Sequence, residues 1–514
     1  MSKLTRRKRK VFTPSSIQTR IKKALDSDLS GPPQVQGSLD RSIEMLKTRQ
    51  RAEFDKKFLS DSAVSEQLED LTYIKFLLVN NHMMRFGLEG LDLPDPSHHV
   101  PQSRFSAREN ILLRARALMG FVLTPFMDEE WFQCCKHGTG SSLGVSYRDT
   151  SLEAKSKFPI SITSGAKSSF DQYLTFDSSL KAALLEFNRR NPIRDWYNIV
   201  EGSRATTVAK STKINRMIAI EPTGNMFLQQ GLMTLMYKRM KAVGLDVERL
   251  PEMHKSRAKI ASITSKEATI DWSSASDCVS IELLRWLLPP KWFDCLNRVR
   301  SPRMSIMDGF VDLHMFSTMG NAGTFPLETL VFWVLGHATR LEVQGTLSLF
   351  PEWEDLMKVS VFGDDCIVAT EIAEDFIEVC QSVGFIVNVD KTFYDEGGFR
   401  ESCGGDYLRG YDVRPYNIKA PTSDSLSALE PWLYVIANSL IKKYIMCFGS
   451  LNYIYDKELF RTLAALFKEY HIAVKLVPSY FPDDAGLKMS FDIERLMRHY
   501  PGITLSRIAV NQHG

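Results

Sequence analysis

Apolar positions in the first quarter of the chain recur at helical spacing. Ile17–Leu25 is a short amphipathic stretch inside a segment, residues 11–35, that mixes Ser, Thr, Pro and Gly. A helical region starts near Val64, where Leu68, Leu71, Ile74, Leu77 and Leu78 follow one another at spacings of mostly three, with Phe76 adding to the stripe. The proline-rich run Leu93–Pro101 ends it. His98 and His99 lie in that run as neighbours without a spaced third ligand, so they read as a surface loop and not as a metal site. From Arg104 to Phe187 helical patches alternate with Ser/Gly/Lys-rich stretches, of which Thr139–Ser142 and Ser161–Ser169 are flexible by composition. Met217–Ile220 reads as a buried strand leading into a helix. After Pro415 the pattern is mostly helical, as in Leu426–Tyr444 and Glu458–Tyr470.

Between residues 260 and 400 strand and helix signals alternate, and acidic or small polar residues stand at their ends. Thr269, Ile270 and Trp272 suit a strand, and Asp271 falls at its end. Ser273, Ser274 and Ser276 suit caps, and Val279–Leu288 is a helical pattern stopped by Pro289-Pro290. Asp277 stands near the start of that helix, where an Asp is by default a cap. Val359–Ala369 is an apolar, partly β-branched run interrupted by Gly363-Asp364-Asp365, the pattern of a hairpin with two carboxylates at its tip.

Composition narrows the class. A chain of 514 residues, 44% hydrophobic and 24% charged, has enough apolar material for several lobes around real cores, so whole-chain disorder is excluded. Eight cysteines without a CxxC pair argue against a disulfide-stapled scaffold and a structural zinc site, and favour a reducing setting. No apolar run reaches about 18 residues, so no membrane span is expected. Net charge is only +3, but the first 25 residues carry nine basic side chains and no acid, a segment suited to solvated disorder or to RNA.

The acids change the picture most. A Gly-Asp-Asp triplet alone is weak, yet here its flanks read as buried strands. Adjacent buried carboxylates need compensation, which a divalent cation supplies. Asp271, Asp364 and Asp365 together predict a site for two Mg²⁺ ions, with Mn²⁺ as an alternative, serving phosphoryl transfer. Around them stand candidates for substrate contact. Lys210, Lys213 and Arg216 recur at spacing three in an acid-free run, Arg204–Arg216, that suits a hairpin facing triphosphate oxygens; a solvated charge run is the plainer reading. Ser317–Pro326 is a small-residue loop before a helix over Leu327–Arg340, capped by Thr324. Its Gly320 permits close approach, and Ser317 and Asn321 with Asp277 are candidates to read ribose hydroxyls. Lys391 follows a strand and is a candidate to meet leaving pyrophosphate, with a salt-bridged surface lysine the equal alternative, and Phe399–Gly404 suits a hairpin.

These pieces, in this order, resemble the RNA-dependent RNA polymerases of the single-stranded RNA bacteriophages, the levivirus group. The matching segments are Lys210–Pro222, Thr269–Asp277, Leu287–Phe293, Ser317–Thr324, Phe362–Asp365, Lys391–Phe393 and Phe399–Gly404, covering roughly residues 190–415. The resemblance implies an α+β right-hand fold: an N-terminal extension and outer fingers over 1–100, fingers over 101–260, a palm of antiparallel sheet with helices behind over 261–410, with an embedded fingers segment near 289–316, and a mostly helical thumb over 411–514. It implies Asp271, Asp364 and Asp365 as metal ligands, helped by the backbone carbonyl of Trp272, and Lys391 as a catalytic cation. Lys210, Lys213, Arg216, Asp277, Ser317, Gly320 and Asn321 become nucleotide- or RNA-binding positions. Phe362 departs from the family, which usually has Tyr before Gly-Asp-Asp. The implied activity is primer-independent synthesis of RNA from NTPs on an RNA template in the cytoplasm of an infected bacterium. The implied partners are host elongation factors Tu and Ts and a large small-subunit ribosomal protein. Reverse transcriptase is the first alternative and a non-enzymatic RNA-binding protein the second. A nucleotide cyclase, suggested by Gly404-Gly405-Asp406-Tyr407, is weaker because that run lacks strand flanks.

Overall fold

A computed structural model describes residues 13–29, 37–58, 66–88, 91–95, 101–190, 192, 195–307, 309–421, 423, 425–448, 457–488 and 505–507. The fold is mixed α+β and divides into two compact units. One holds residues 66–208 and 215–405; the other joins 1–65, 209–214 and 406–514. His98, His99 and the basic run at residues 3–10 lie outside the described residues.

In the larger unit the centre is the helix Thr324–Val343, buried from Thr324 through Leu341 except Phe325. Such all-round burial needs neighbours on every side. The helix Ala107–Leu123 packs along it, and so do the Ala373–Ser382 helix and the strand Ser360–Phe362. Gly336 admits that strand: a Cβ there would meet Val359 Cγ1 at 2.7 Å. The strand belongs to a three-stranded antiparallel sheet whose order is Glu267–Ile270, Asp365–Ala369, Ser360–Phe362. Thr269 also bridges Phe393 on the outer edge. One face of the sheet, with Ala268, Ile270, Cys366 and Val368, joins the core of Phe332, Trp333 and Phe376. By the period of two, Thr269, Ser360, Asp365 and Ile367 point to the other face. The helix Leu250–Thr264 packs against this sheet and against the strand Phe399–Ser402.

A second sheet has the order Asn215–Ile220, Gly202–Ala209, Arg303–Ile306, Gly309–Asp312. The strands Asn215–Ile220 and Gly202–Ala209 form the hairpin expected for the basic run. Ser161–Ser169 departs from its composition: Ile160–Thr163 is a strand and Ser164–Phe176 a helix. At the strand end Thr163 is buried and bonded, its N–H donating to Asn225 Oδ1 at 2.9 Å and Asn225 Nδ2 donating to its Oγ1 at 2.7 Å. The helix Glu66–Leu88 also packs differently from its apolar stripe. Phe76, Val79 and Met83 are buried while Leu71, Ile74 and Leu78 are exposed. Among the described residues no single helix is long and apolar enough to cross a membrane.

In the smaller unit the helix Pro14–Leu29 packs against Lys457–Glu469. The Asp28 carboxylate accepts the N–H groups of Glu458 and Leu459 at 3.0 and 3.1 Å, and Arg20 pairs with Glu469 at 2.7 Å. The helix Leu426–Phe448 accompanies them, together with three parallel strands, Val474–Val477, Leu487–Lys488 and Leu505–Arg507, that the helical pattern after Pro415 did not announce. Asp406 is buried between Arg49 at 2.5 Å and Arg414 at 3.1 Å. Contrary to the expectation that the run Gly404–Tyr407 has no strand character, Gly405–Leu408 is a strand; Asp406 on it is nevertheless a clamped structural acid, which removes the ground for the cyclase reading.

Candidate active site

The pairing register assembles the acids. Antiparallel pairs run Ala268–Val368, Thr269–Ile367 and Ile270–Cys366, so the next pair in line is Asp271 opposite Asp365. Opposed residues share a face, with Cβ atoms about 5 Å apart. Gly363 and Asp364 form the two-residue turn between Phe362 and Asp365, which are themselves paired. Gly363 has φ +62°, the glycine-first conformation that such hairpins favour, and a Cβ would meet Phe325 Cε2 at 2.7 Å. Its N–H donates to Thr329 Oγ1 at 3.0 Å, which ties the turn to the central helix. Phe362 packs edge-on against Phe325 with ring centroids 4.8 Å apart.

Each acid has its own setting. Asp271 is half-buried; Asn388 Nδ2 donates to its Oδ2 at 2.5 Å, and Lys391 Nζ stands 3.6 Å from its Oδ1 and 3.9 Å from Glu401 Oε1. Burial pushes the Asp271 carboxyl up, Lys391 pulls it back, and the Asp364 charge pushes it up again; the net direction is upward. Asp365 is pushed up to about 7, first by burial and then by Asp364, against hydrogen bonding from the Cys403 backbone. Asp364 itself is exposed at the turn. Lys391 shows the mirror effect. Burial pulls its pKa down, but Asp271, Glu401, Asp365 and Asp364 outweigh that and hold it above the ordinary lysine value. Beneath them Glu328 is buried, and burial with the charges of Asp364, Asp277, Asp271 and Asp365 drives its carboxyl far above the usual range.

Trp272 fixes the end of the strand. Its indole is buried and stacks on Phe332 at 5.0 Å and 12°. The N–H of Asn388 donates to Asp271 O and that of Ser273 to Ile386 O, so the peptide groups of Trp272 between them face away from that ladder. Asp277 ends a single 3-10 turn, Ala275–Asp277, and caps nothing; Ser280 caps the next helix by accepting from Leu283 N–H at 3.1 Å. Burial lifts the Asp277 carboxyl to about 7, opposed by Lys75 and Ser276.

The small-residue loop lies against the basic hairpin's second strand. Ala219 N–H donates to Met319 O at 2.7 Å, and Gly320, at φ +117°, would drive a Cβ to 2.1 Å from Ala219 O. Thr324 caps nothing. Its hydroxyl is turned to Ser317 Oγ at 2.9 Å and Thr318 O at 2.8 Å, and the helix starts at Thr324 itself. Asn321 Oδ1 accepts Gly323 N–H at 2.8 Å, and its side chain also bonds the buried Glu221. Glu221 further accepts from Ser301 Oγ at 2.7 Å and Gln229 Nε2 at 3.2 Å. Ser317 and Asn321 are thus both engaged within the chain. Arg216 is exposed on the neighbouring strand of the larger unit. Lys210 and Lys213 are exposed on the hairpin tip, which belongs to the smaller unit; there Thr212 N–H donates to Lys56 O at 2.8 Å.

The structure therefore brings Asp271, Asp364, Asp365 and Lys391 to one end of one sheet. Asn388 and Thr329 join them without a motif to announce them, and Glu401, from the Phe399–Gly404 segment, stands 3.9 Å from Lys391. Among the described residues no three His, Cys, Asp or Glu side chains stand preassembled at ligating distance. The donor set nevertheless fits a hard divalent cation. It is all oxygen, partly buried and mutually repelling, with the Asp271 and Asp365 carboxyls raised first by burial and then by the Asp364 charge.

Comparison with known proteins follows the same direction. A family model described as "RNA replicase, beta-chain" matches residues 14–445. The RNA-directed RNA polymerase beta chain of Enterobacteria phage fr is 32% identical over 385 residues, covering 73% of this chain and 63% of the relative. That of Escherichia phage MS2 is 34% identical over 326 residues, covering 61% and 54%. The RNA-directed RNA polymerase subunit beta of Escherichia virus Qbeta is 41% identical over 218 residues, covering 42% and 35%. The chain thus spans less than two thirds of the length of each of these relatives.

Proposed function

The chain belongs to the RNA replicase beta-chain family, and we propose that it is an RNA-directed RNA polymerase that copies a phage RNA genome by nucleotidyl transfer. The observation that carries this reading is the strand register that sets Asp271 opposite Asp365 with Asp364 in the adjoining turn. Asp271, Asp364 and Asp365, with the Trp272 carbonyl, would hold two Mg²⁺ ions, which supply charge neutralisation for an attacking 3′-hydroxyl and a departing pyrophosphate. Lys391, kept protonated by four carboxylates, meets negative charge on the leaving group. Arg216 meets the triphosphate, and Lys210 and Lys213 are RNA-binding positions on the hairpin tip. Asp277 and the tethered loop of Ser317, Gly320 and Asn321 set the ribose position, where a 2′-hydroxyl is recognised.

In this reading the sheet and helices around residues 261–410 are a palm, 101–260 fingers with a segment near 289–316, 1–100 an extension with outer fingers, and 411–514 a thumb. Synthesis starts without a primer. The chain acts in the cytoplasm of an infected bacterium as one subunit of a complex with host elongation factors Tu and Ts and a large small-subunit ribosomal protein.

The test is incorporation of labelled nucleotide on one RNA template, with rNTPs and dNTPs in separate reactions, by the parent chain and by Asp364→Asn together with proteins recovered from a bacterial host. Expected are rNTP incorporation by the parent and none by the variant, whose thermal melting stays close to the parent's. Preference for dNTPs would replace this reading by reverse transcription, and undiminished incorporation by Asp364→Asn would refute the assignment of the acids.

A further inference from the structure

His254 lies on the helix Leu250–Thr264, behind the sheet that carries the acids, and is fully buried. Its ring spans two strands. Nε2 is 2.8 Å from Ser360 Oγ, on the strand that leads into Gly363, and Nδ1 is 2.9 Å from Ser402 Oγ, at the end of Phe399–Ser402. The Ser402 hydroxyl in turn donates to Asp365 Oδ1 at 3.4 Å. Ser360 and Asp365 lie on the same face of the sheet by the pairing register, so these contacts follow from the fold and not from a chance rotamer.

We infer that His254 is a positioning residue for the Asp365 carboxylate, acting through Ser402. The inference rests on the reading of Asp365 as a metal ligand.

The direction of the bonds supports it. An ionised carboxylate has no proton to give, so Ser402 donates to Asp365 and must accept from the ring. His254 then carries its proton on Nδ1, and Nε2 accepts the Ser360 hydroxyl. Ser360, His254 and Ser402 each donate once along the chain, and the Asp365 carboxylate accepts the last bond. The ring is neutral, since burial first and the Arg257 charge next push its pKa down to about 3. A buried imidazole and two buried hydroxyls cost stability unless all are bonded, and here all are. His337 shows the contrast. It is equally buried, with Nε2 3.1 Å from Leu356 O, but its Nδ1 meets no partner and leads to no acid. Partners that orient a ligand in this way are typically worth 10–100-fold in metal affinity.

The experiment uses the full chain and measures Mn²⁺ binding directly by electron paramagnetic resonance, without nucleotide, beside the Mg²⁺ dependence of synthesis. Ser402→Ala removes one hydroxyl from the relay and little volume. His254→Phe removes both ring bonds, and His254→Asn restores a donor near Nδ1. Expected is Mn²⁺ affinity weakened by about tenfold or more in Ser402→Ala and His254→Phe, with a matching rise in the Mg²⁺ needed for half-maximal synthesis, and partial recovery in His254→Asn. If Ser402→Ala melts like the parent and binds Mn²⁺ with parental affinity, while Asp365→Asn abolishes synthesis, the relay is overturned and the polymerase reading stands. If Asp365→Asn itself synthesises RNA normally, the reading beneath the relay fails.

Discussion

Asp365 links metal binding to pH in a way that can be measured without any nucleotide. Its carboxyl is pushed from 3.8 up to about 7 by burial and by Asp364. A native pKa above the unfolded one means that the native state binds the extra proton between those values. The metal-free fold therefore loses stability as pH rises from about 4 to about 7, the reverse of a salt-bridged Asp. A divalent ion needs the ionised form, so below about pH 7 it must displace that proton. Apparent affinity should then fall about tenfold for each pH unit below 7, about 1.4 kcal/mol, for each proton displaced. Calorimetric titration of Mg²⁺ into the chain, repeated in buffers of different ionisation enthalpy, counts the protons released. Thermal unfolding with and without Mg²⁺ should show a larger rise at about pH 8 than at about pH 6. An affinity unchanged between those pH values, or binding without proton release, would refute the assignment of a raised carboxyl to the ion site.

Gly363→Ala places a side chain at φ +62° and against the Phe325 ring; it should cost about 1–3 kcal/mol in urea unfolding and suppress synthesis, and parental behaviour in both would show the turn to be less constrained. Lys391→Met removes the cation 3.6 Å from Asp271; incorporation should fall by about 10²-fold or more, with the alkaline limb of its pH profile lost, and a parental profile would exclude Lys391 from the chemistry.

Local patterns made part of this site legible. The apolar flanks of Gly363-Asp364-Asp365 and the β-formers before Asp271 mark two strands, and the antiparallel register joins them. The basic hairpin and the central helix were legible for the same reason. What lay beyond reading was every partner brought in by tertiary packing. His254 and Ser402 are 148 residues apart, and Asn388 is 117 residues from Asp271; no spacing rule connects them. Ser161–Ser169 misled because small polar residues look like a loop, whereas Asn225 satisfies Thr163 inside a packed turn. The stripe of Leu71, Ile74 and Leu78 misled because periodicity marks an apolar face without saying whether a neighbour covers it.

The most direct measurement is anomalous diffraction from crystals grown with Mn²⁺ and a ribonucleoside triphosphate. Anomalous peaks bounded by carboxylate oxygens of Asp271, Asp364 and Asp365, beside the nucleotide's α-phosphate, are the predicted result. Manganese bound elsewhere, with those oxygens apart from both ion and nucleotide, would contradict it.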